Sequence, residues 1–232
     1  MKIETRGLSQ NQLKIIAAVL MLVDHIGAEL LPQYKILRII GRLSFPLFAY
    51  FVYEGCKYTH SKPIYLLRIC LLGFLCMAVY LVYSGELFGN ILITFSISIC
   101  VIYSIQFFKE KLNRGEGEIL GLTAAVLCVG AAYIICSALK IDYGFYGVML
   151  PAFAEIFDGF SNRNKHMPLI GFGIGLLLMS VHLGGNQYFC LLALLLLAAY
   201  NGNRGKRKMK YFFYWFYPAQ LAAIGAVSML IE

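Results

Sequence analysis

The chain has 232 residues, of which 60% are apolar and only 14% are charged, and its mean hydropathy is +0.72. Soluble domains are about 25% charged and lack long apolar runs, so this composition excludes a soluble domain and indicates an integral membrane protein. The formal net charge of +8 would suggest a nucleic-acid partner for a soluble protein. Membrane topology explains this charge better, and we expect no nucleic-acid binding.

Nine apolar segments follow one another along the chain. They predict a single all-α domain over residues 1–232, a polytopic membrane helix bundle of about nine transmembrane helices. Two segments are short, so a count of eight or ten also fits the sequence. The first segment is too long for a signal peptide and lacks a small-residue cleavage site, so we expect it to be retained. The segments are 13–31, 39–56, 64–83, 90–108, 119–139, 143–157, 167–183, 188–200 and 212–231.

The basic residues predict the orientation of the bundle. If the N-terminus is cytoplasmic, the inner loops and their flanks hold most of the 20 Lys and Arg residues. The outer loops hold only Lys35, Arg38 and Lys140. Because cytoplasmic loops carry an excess of Lys and Arg, this distribution favours nine spans with the N-terminus inside. We expect a multi-pass protein surrounded by the lipid of the cytoplasmic (inner) membrane.

The loops are too short to form a separate catalytic domain, so any chemistry must take place within the bundle or at its edges. The seven cysteines form no CxxC and no His/Cys ligand spacing, so we expect neither a disulfide nor a metal site. No internal repeat is visible, which weighs against the paired halves of many transporters.

The first segment carries two ionisable residues a little past its midpoint, Asp24 and His25. An ionisable side chain at that depth costs about 2.5–3.5 kcal/mol on insertion scales, so it seldom lacks a function. An imidazole, with an ordinary pKa of about 6.5, can act as a general base at cytoplasmic pH. We interpret this pair as the chemical centre of a membrane-embedded enzyme. The alternative is a buried polar pair that only holds helices together.

The second segment supplies a cation for this pair. Arg42 lies about one turn inside the membrane, and in an antiparallel hairpin it approaches the depth of Asp24. We therefore expect an Asp24–Arg42 ion pair, the alternative being that Arg42 extends to the outer headgroups. Pro46, four residues further on, predicts a kink in this helix.

Later segments add polar candidates at their outer ends. Asn90 and Thr94 lie four residues apart and form, with Ser98, a polar stripe on the fourth segment. The ordinary alternative is a hydroxyl bonded to a backbone carbonyl of its own helix. Asp142 and Tyr143 stand where the sixth segment begins, and Asp142 is alternatively only a helix N-cap.

Together these stretches resemble the TraX family of membrane acetyltransferases, whose namesake N-acetylates conjugative pilin subunits. The order of the matching stretches is the expected one over almost the whole chain. The chain departs from the family pattern in lacking a Ser-x-x-Pro-Phe ending on the third segment and in carrying Gln220 where the family usually has His, which leaves His25 as the candidate catalytic histidine. The stretches are LKIIAAVLMLVDHIG (13–27), GRLSFPLFAYFVYEG (41–55), NILITF (90–95), DYGFYGV (142–148) and FYPAQL (216–221).

The resemblance implies an acetyl-CoA-dependent acyltransferase. It would move an acetyl group from cytoplasmic acetyl-CoA to the amine of a pilin-like peptide N-terminus, or to a small-molecule acceptor, at the outer side of the membrane. His25, with Asp24 as the second catalytic residue, would either deprotonate the acceptor amine or carry the acetyl group transiently. Residues that would orient the substrate or stabilise the oxyanion are Arg42, Asn90, Thr94, Asp142 and Tyr143. Residues that would attract the CoA phosphates at the inner face are Lys14, Lys57, Lys62 and Arg68.

Two other functions fit the same residues. A small proton-coupled transporter would use Asp24 and His25 as a proton relay, and it predicts pH-driven uptake without CoA binding. A non-catalytic membrane assembly factor would use the pair only to fasten helices. It predicts that Asp24→Asn and His25→Gln lower stability without abolishing any enzyme activity.

Overall fold

A computed structural model of the protein describes residues 7–85, 89–158, 166–205 and 209–231. Most of the residues in these ranges are helical, and the only strand-like pairings among them are two isolated bridges, Leu8 with Tyr200 and Gly89 with Ile141. The helices are α1 (Gln10–His25), a π-helical turn (Ile26–Leu30), α2 (Lys35–Gly41), α3 (Ser44–Tyr58), α4 (Lys62–Ser84), α5 (Ile91–Arg114), α6 (Glu118–Ala138), α7 (Gly144–Phe157), α8 (Met167–Leu183), a 3-10 helix (Gly185–Leu192), α9 (Ala193–Ala198) and α10 (Lys210–Ile231).

The described part of the chain has the helices that a membrane protein needs. Four are long and apolar enough to cross a bilayer: α2 and α3 taken together as Lys35–Tyr58, and then Lys62–Val82, Ile91–Arg114 and Glu118–Ala138. Gly144–Phe157, Met167–Leu183 and Gly185–Ala198 are shorter apolar helices. The helical membrane class is therefore confirmed, whereas the count of nine spans and their orientation stay predictions.

Helices α4 and α6 expose most of their apolar surface. Val82 is 89% exposed and Ile119 is 83% exposed, and Leu127 and Leu71 point outward as well. In a soluble protein such surfaces would aggregate, but in a bilayer they face lipid tails at no cost.

One predicted segment, 39–56, is divided into α2 and α3 by a turn at Arg42 and Leu43. Pro46 has no N–H to donate to the carbonyl four residues before it, which is that of Arg42. That carbonyl instead accepts a hydrogen bond from Cys190 Sγ at 3.1 Å. The predicted kink is therefore present just before the proline.

Segment 188–200 also differs from a simple span, because it consists of a 3-10 helix followed by the short α9. The described helices group into two compact units, and the division falls within α3. The prediction of a single domain stays a prediction.

The first unit contains residues up to Phe48 and from Leu183 onward. Its α1 begins with a capping box, in which the Ser9 backbone N–H donates to Gln12 Oε1 at 2.9 Å and the Ser9 hydroxyl accepts from the Gln12 N–H. The N–H of Leu8 donates to the Ala199 carbonyl at 2.8 Å, which joins the segment before α1 to the segment after α9. Helix α1 packs against α2 and α10, with Leu13 and Ala17 fully buried.

The second unit contains residues 49–182. Helix α5 is its centre and packs against α4, α6 and α7. Apolar side chains such as Ile99, Ile102 and Val148 are fully buried there. The same core continues into α8, where Met179 is fully buried.

Candidate functional site

The close approach of α1 and α2 places Asp24 beside α2. A Cβ atom built on Gly41 would overlap the side chain of Asp24, and one on Gly27 would lie 2.6 Å from the Leu37 Cβ. The two glycines, one on each side of the contact, therefore let the backbone at each glycine pack directly against a side chain of the facing segment. This contact brings the carboxylate of Asp24 within reach of the basic residues of α2.

Asp24 is held by two arginines. Arg38 Nη1 donates to Asp24 Oδ2 at 2.7 Å and to the Asp24 carbonyl oxygen at 3.1 Å. Arg42 Nη2 lies 3.4 Å from Asp24 Oδ1. The side chains of Asp24 and Arg42 are 14% and 12% exposed, so this is a largely buried ion pair that excludes most water. The expected Asp24–Arg42 contact is confirmed, but the Arg38 contact was missed because Arg38 was assigned to a loop.

His25 faces a different neighbour. Its ring centroid lies 6.2 Å from that of Tyr217 on α10, and the described structure gives its buried Nδ1 atom no hydrogen-bond partner. Because adjacent helical residues point about 100° apart, Asp24 turns to α2 while His25 turns to α10. The imidazole is half-buried rather than sealed. The π-helical turn begins directly after it, a feature frequent at functional sites.

An open pocket of about 580 Å³ lies over the arginines. Three basic residues, Lys35, Arg38 and Arg42, line one part of it, and no acidic residue is among its lining. Two amide side chains, Asn186 and Gln187, line another part. The exposed surface of this site is therefore strongly cationic, with Asp24 as the counter-charge beneath it.

A further buried contact of α1 supports this geometry. The hydroxyl of Ser44, at the start of α3, donates to the carbonyl oxygen of Ala17 at 2.8 Å. This bond and the glycine contacts fix the position of α1 relative to α2 and the start of α3. Arg38 and Arg42 are therefore held at a fixed position beside Asp24.

Asn90, Thr94, Asp142 and Tyr143 lie together in the second unit. The Asn90 side chain caps α5 by accepting from the Leu92 N–H at 3.0 Å, and its amide donates to the Gly73 carbonyl at 2.8 Å. Thr94 is fully buried and donates to the Asp142 carbonyl at 2.8 Å. Tyr143 precedes α7 with a left-handed backbone, φ 60°. Since Asn90 and Thr94 already donate to backbone carbonyls, both have a structural role here.

The residues expected to attract CoA phosphates have different surroundings. In the second unit, Lys57 Nζ is bound to the carboxylate of Asp158 at 2.6 Å, so its charge is partly neutralised. Lys62 and Arg68 are exposed on α4, with Lys62 Nζ 5.2 Å from the centroid of the Tyr103 ring. Lys14 belongs to the first unit, half-buried on α1. Two of the four therefore offer an open positive charge to solvent.

One buried carboxylate of the second unit was not anticipated. Glu155, 5% exposed on α7, accepts from Gln106 Nε2 at 3.0 Å. Lys109 Nζ lies 3.3 Å from Glu155 Oε1 and also donates to the Glu155 backbone carbonyl. The residues are almost 50 positions apart, so no local spacing could have predicted this cluster. Across the described residues, no group of three or more His, Cys, Asp or Glu could hold a metal ion.

Comparison with known proteins assigns this chain to a family. A family model described as TraX protein matches residues 9–228. An uncharacterised protein of Rickettsia prowazekii (strain Madrid E) is 36% identical over 106 residues, which cover 45% of this chain and only 39% of that relative's length. A probable fimbrial assembly protein FimC, serogroup H1, of Dichelobacter nodosus is 25% identical over an alignment of 257 positions, gaps included, that covers 97% of each chain. No solved structure matches the chain.

Proposed function

Because the chain belongs to the TraX family, we propose that it is a pilus-associated acetyltransferase of the inner membrane. Its donor would be acetyl-CoA and its acceptor an amine, such as the N-terminus of a pilin-like peptide. The observation that carries the proposal is the His25 imidazole, which has a buried nitrogen without a partner and stands next to a carboxylate held by two arginines. The name of the full-length relative, a probable fimbrial assembly protein, supports a pilus-related acceptor.

In the proposed reaction His25 acts as the general base. Its unpartnered Nδ1 accepts a proton from the acceptor amine as the amine nitrogen attacks the thioester carbonyl carbon. The new C–N bond forms, the C–S bond breaks, and the CoA thiolate leaves and takes up the proton. An acetylated amine and free CoA are the products.

Arg42 and Arg38 would stabilise the negative charge that develops on the thioester oxygen. Both guanidinium groups line the open pocket, and Asp24 fixes their orientation from below. Donors that are already oriented need no rearrangement during the reaction, which is why such groups contribute strongly to catalysis. In this scheme Asp24 is a positioning residue for the arginines.

The CoA phosphates would be attracted by the open positive charges of Lys62 and Arg68, with Lys14 and Lys57 adding to the field. Phosphate oxygens are negatively charged and accept hydrogen bonds, so they bind lysine and arginine side chains through both interactions. Since Lys57 is engaged by Asp158, we expect it to contribute less than the other three.

The test is acetyl transfer by the purified, reconstituted protein. It is incubated with acetyl-CoA labelled in the acetyl group and a short peptide with a free N-terminal amine, and both labelled peptide and released CoA are measured. We expect His25→Ala to lose about 100- to 10,000-fold of the rate, the usual contribution of a general base. His60→Ala, which removes an exposed loop histidine, is the matched control and should keep the wild-type rate.

Two outcomes would contradict the proposal. Transfer at the normal rate by His25→Ala would show that His25 is not the general base. Absence of transfer in the wild type, together with no protection by acetyl-CoA against thermal unfolding, would instead favour a non-catalytic assembly protein.

A further inference from the structure

Gln220 is the most unusual buried polar side chain of the first unit. It is 6% exposed, and in the described structure neither its Nε2 nor its Oε1 has a hydrogen-bond partner. A buried amide without partners is costly, and native proteins tolerate few of them. Its donor and its acceptor therefore both lack a partner within the described part of the chain.

Helix α10 places this amide on the face that meets the candidate site. Among the side chains of α10 that the structure describes, the buried ones are Tyr217, Gln220 and Ile224, which recur at a spacing of three and four residues. Helix α10 packs against α1 and against the π-helical turn, and Tyr217 lies beside the ring of His25. Gln220 is thus on the same face as the residue that contacts His25, one turn further along.

Unpartnered atoms are gathered in this region. Among the described residues, the buried side-chain atoms without a hydrogen-bond partner belong to His25, Gln220 and Asp24, all in the first unit. The Asp24 atom is Oδ1, which is ion-paired with Arg42 at 3.4 Å, so only His25 and Gln220 have no counterpart. Unsatisfied groups scattered through a fold indicate strain or hydration, whereas two of them at one helix contact, His25 on α1 and Gln220 one turn from Tyr217 on α10, indicate the place of a ligand.

We propose that the Gln220 carboxamide binds an amide group of the substrate through paired hydrogen bonds. Nε2 would donate to the amide carbonyl and Oε1 would accept from the amide N–H, because a carboxamide offers one of each in a planar arrangement. The proposal rests on the proposed function, since the amide is taken to belong to one of the two reactants. It makes Gln220 a residue that selects the substrate.

Two reactants carry a suitable amide. In a peptide acceptor, the first peptide bond is separated from the nucleophilic amine by one Cα atom, so the amine could reach His25 while the amide reaches Gln220. In acetyl-CoA, the nearest amide of the pantetheine arm is two carbons from the thioester sulfur. The chemistry recognised is the same, and substrate analogues distinguish the sources.

The experiment compares four proteins on matched substrates. The proteins are the wild type, Gln220→Leu, Gln220→Glu and, as the control for an added apolar side chain on α10, Ala219→Leu at an exposed position. The acceptors are a short peptide and the same peptide with its first amide replaced by an ester. The donors are acetyl-CoA, the acetyl thioester of N-acetylcysteamine, which keeps an amide, and ethyl thioacetate, which has none.

We expect Gln220→Leu to lower kcat/KM by about 10- to 100-fold for substrates that carry the recognised amide, since a buried amide is left unpaired. The loss should vanish for the analogue that lacks this amide. If Gln220 binds the acceptor, that analogue is the ester peptide, and if Gln220 binds the donor, it is ethyl thioacetate. Gln220→Glu should retain part of the activity because one acceptor oxygen remains. Ala219→Leu should match the wild type with every substrate.

Stability provides a second readout. Replacing an unpartnered buried amide with leucine removes a desolvation cost, so Gln220→Leu should unfold a few degrees higher than the wild type without substrate. It should also lose the thermal protection that the amide-bearing substrate gives to the wild type. A purely structural amide would show the opposite, a lower unfolding temperature and unchanged protection.

The outcomes separate this inference from the proposed function. If the wild type transfers acetyl groups and Gln220→Leu does so equally well with every substrate, Gln220 does not bind the substrate amide, but the acetyltransferase function is supported. If the wild type shows no acetyl transfer, and the short peptide still protects it from unfolding only when Gln220 is present, amide binding by Gln220 is supported and the acetyltransferase function is refuted. If there is neither transfer nor Gln220-dependent protection, both fall.

Discussion

The two units of this protein differ in where their described buried polar groups lack partners. In the second unit, Ser98 donates to the Val148 carbonyl at 2.8 Å, Thr94 donates to the Asp142 carbonyl at 2.8 Å, and the amide of Gln106 donates to Glu155. In the first unit, His25 Nδ1 and both amide atoms of Gln220 have no described partner. Because an unpaired polar group destabilises a buried site, satisfied groups indicate structure and unsatisfied groups indicate a place for a ligand.

This comparison predicts where substitutions harm stability and where they harm activity. Removing a satisfied group of the second unit should lower the free energy of unfolding and leave the chemical step unchanged. Removing an unsatisfied group of the first unit should do the reverse. Asp24 lies between these cases, because its Oδ2 accepts a hydrogen bond from Arg38 while its Oδ1 has only the ion pair with Arg42, and both contacts hold the candidate site.

The largest loss of stability is expected for Asp24→Ala. It removes the carboxylate to which Arg38 and the buried Arg42 are both bound, and breaking a buried ion pair in this way costs about 3–5 kcal/mol. The measurement is thermal unfolding of the reconstituted protein. Asp158→Ala, which breaks the more exposed ion pair with Lys57, is the matched control and should cost far less. Equal losses in the two variants would show that the arginines do not depend on Asp24.

The next largest effect is expected at the contact between α1 and α2. Gly41→Ala adds a methyl group where the Asp24 side chain lies, so the helices must separate, at a cost of about 1–3 kcal/mol. Acetyl transfer should fall as well, since the arginines move relative to Asp24. Gly225→Ala, on α10 with no atom within 4 Å of the added Cβ, should be neutral or slightly stabilising. A neutral Gly41→Ala would refute the close packing.

A smaller effect is expected for Ser98→Ala in the second unit. Its hydroxyl oxygen lies 2.9 Å from the Thr94 carbonyl oxygen and 2.8 Å from that of Val148, so its one hydrogen is donated to either or shared between them. A hydrogen bond of this kind contributes about 1 kcal/mol. The unfolding temperature should fall by a few degrees, whereas kcat for acetyl transfer should stay at the wild-type value. A selective loss of kcat would place Ser98 in the reaction and would weaken the contrast between the units.

The smallest effect is expected for Arg114→Ala. Arg114 pairs with Glu110 at 2.5 Å across one turn of α5, but both side chains are more than half exposed. Exposed pairs at this spacing contribute about 0.3–0.5 kcal/mol, and salt screens them. Stability should therefore change within the error of a thermal scan, and a clear loss would show that the end of α5 is buried in the membrane-bound protein.

Much of the fold could be predicted because long apolar runs define membrane helices. The predicted segment 167–183 coincides with α8, and segments 64–83 and 119–139 differ from α4 and α6 by two residues or fewer at each end. The break before Pro46 was predictable from the missing N–H. The 3-10 geometry of Gly185–Leu192 was not, since an apolar run does not reveal which helix it forms.

Less of the candidate site could be predicted. Asp24 and Arg42 were paired by depth, but Arg38 was assigned to a loop because the start of α2 at Lys35 leaves no clear hydropathy signal. The spacing of Arg38 and Arg42, one helical turn, was the available clue. The unpartnered state of Gln220 depends on packing among distant segments, which a single sequence does not contain.

The most direct test of the central claim is chemical rescue of His25→Ala. If the unpartnered imidazole accepts the proton of the acceptor amine, added imidazole should restore a measurable, concentration-dependent rate of acetyl transfer to His25→Ala. It should not restore transfer to Asp24→Ala, whose defect is the placement of the arginines. Transfer by His25→Ala at the wild-type rate without imidazole would contradict the account.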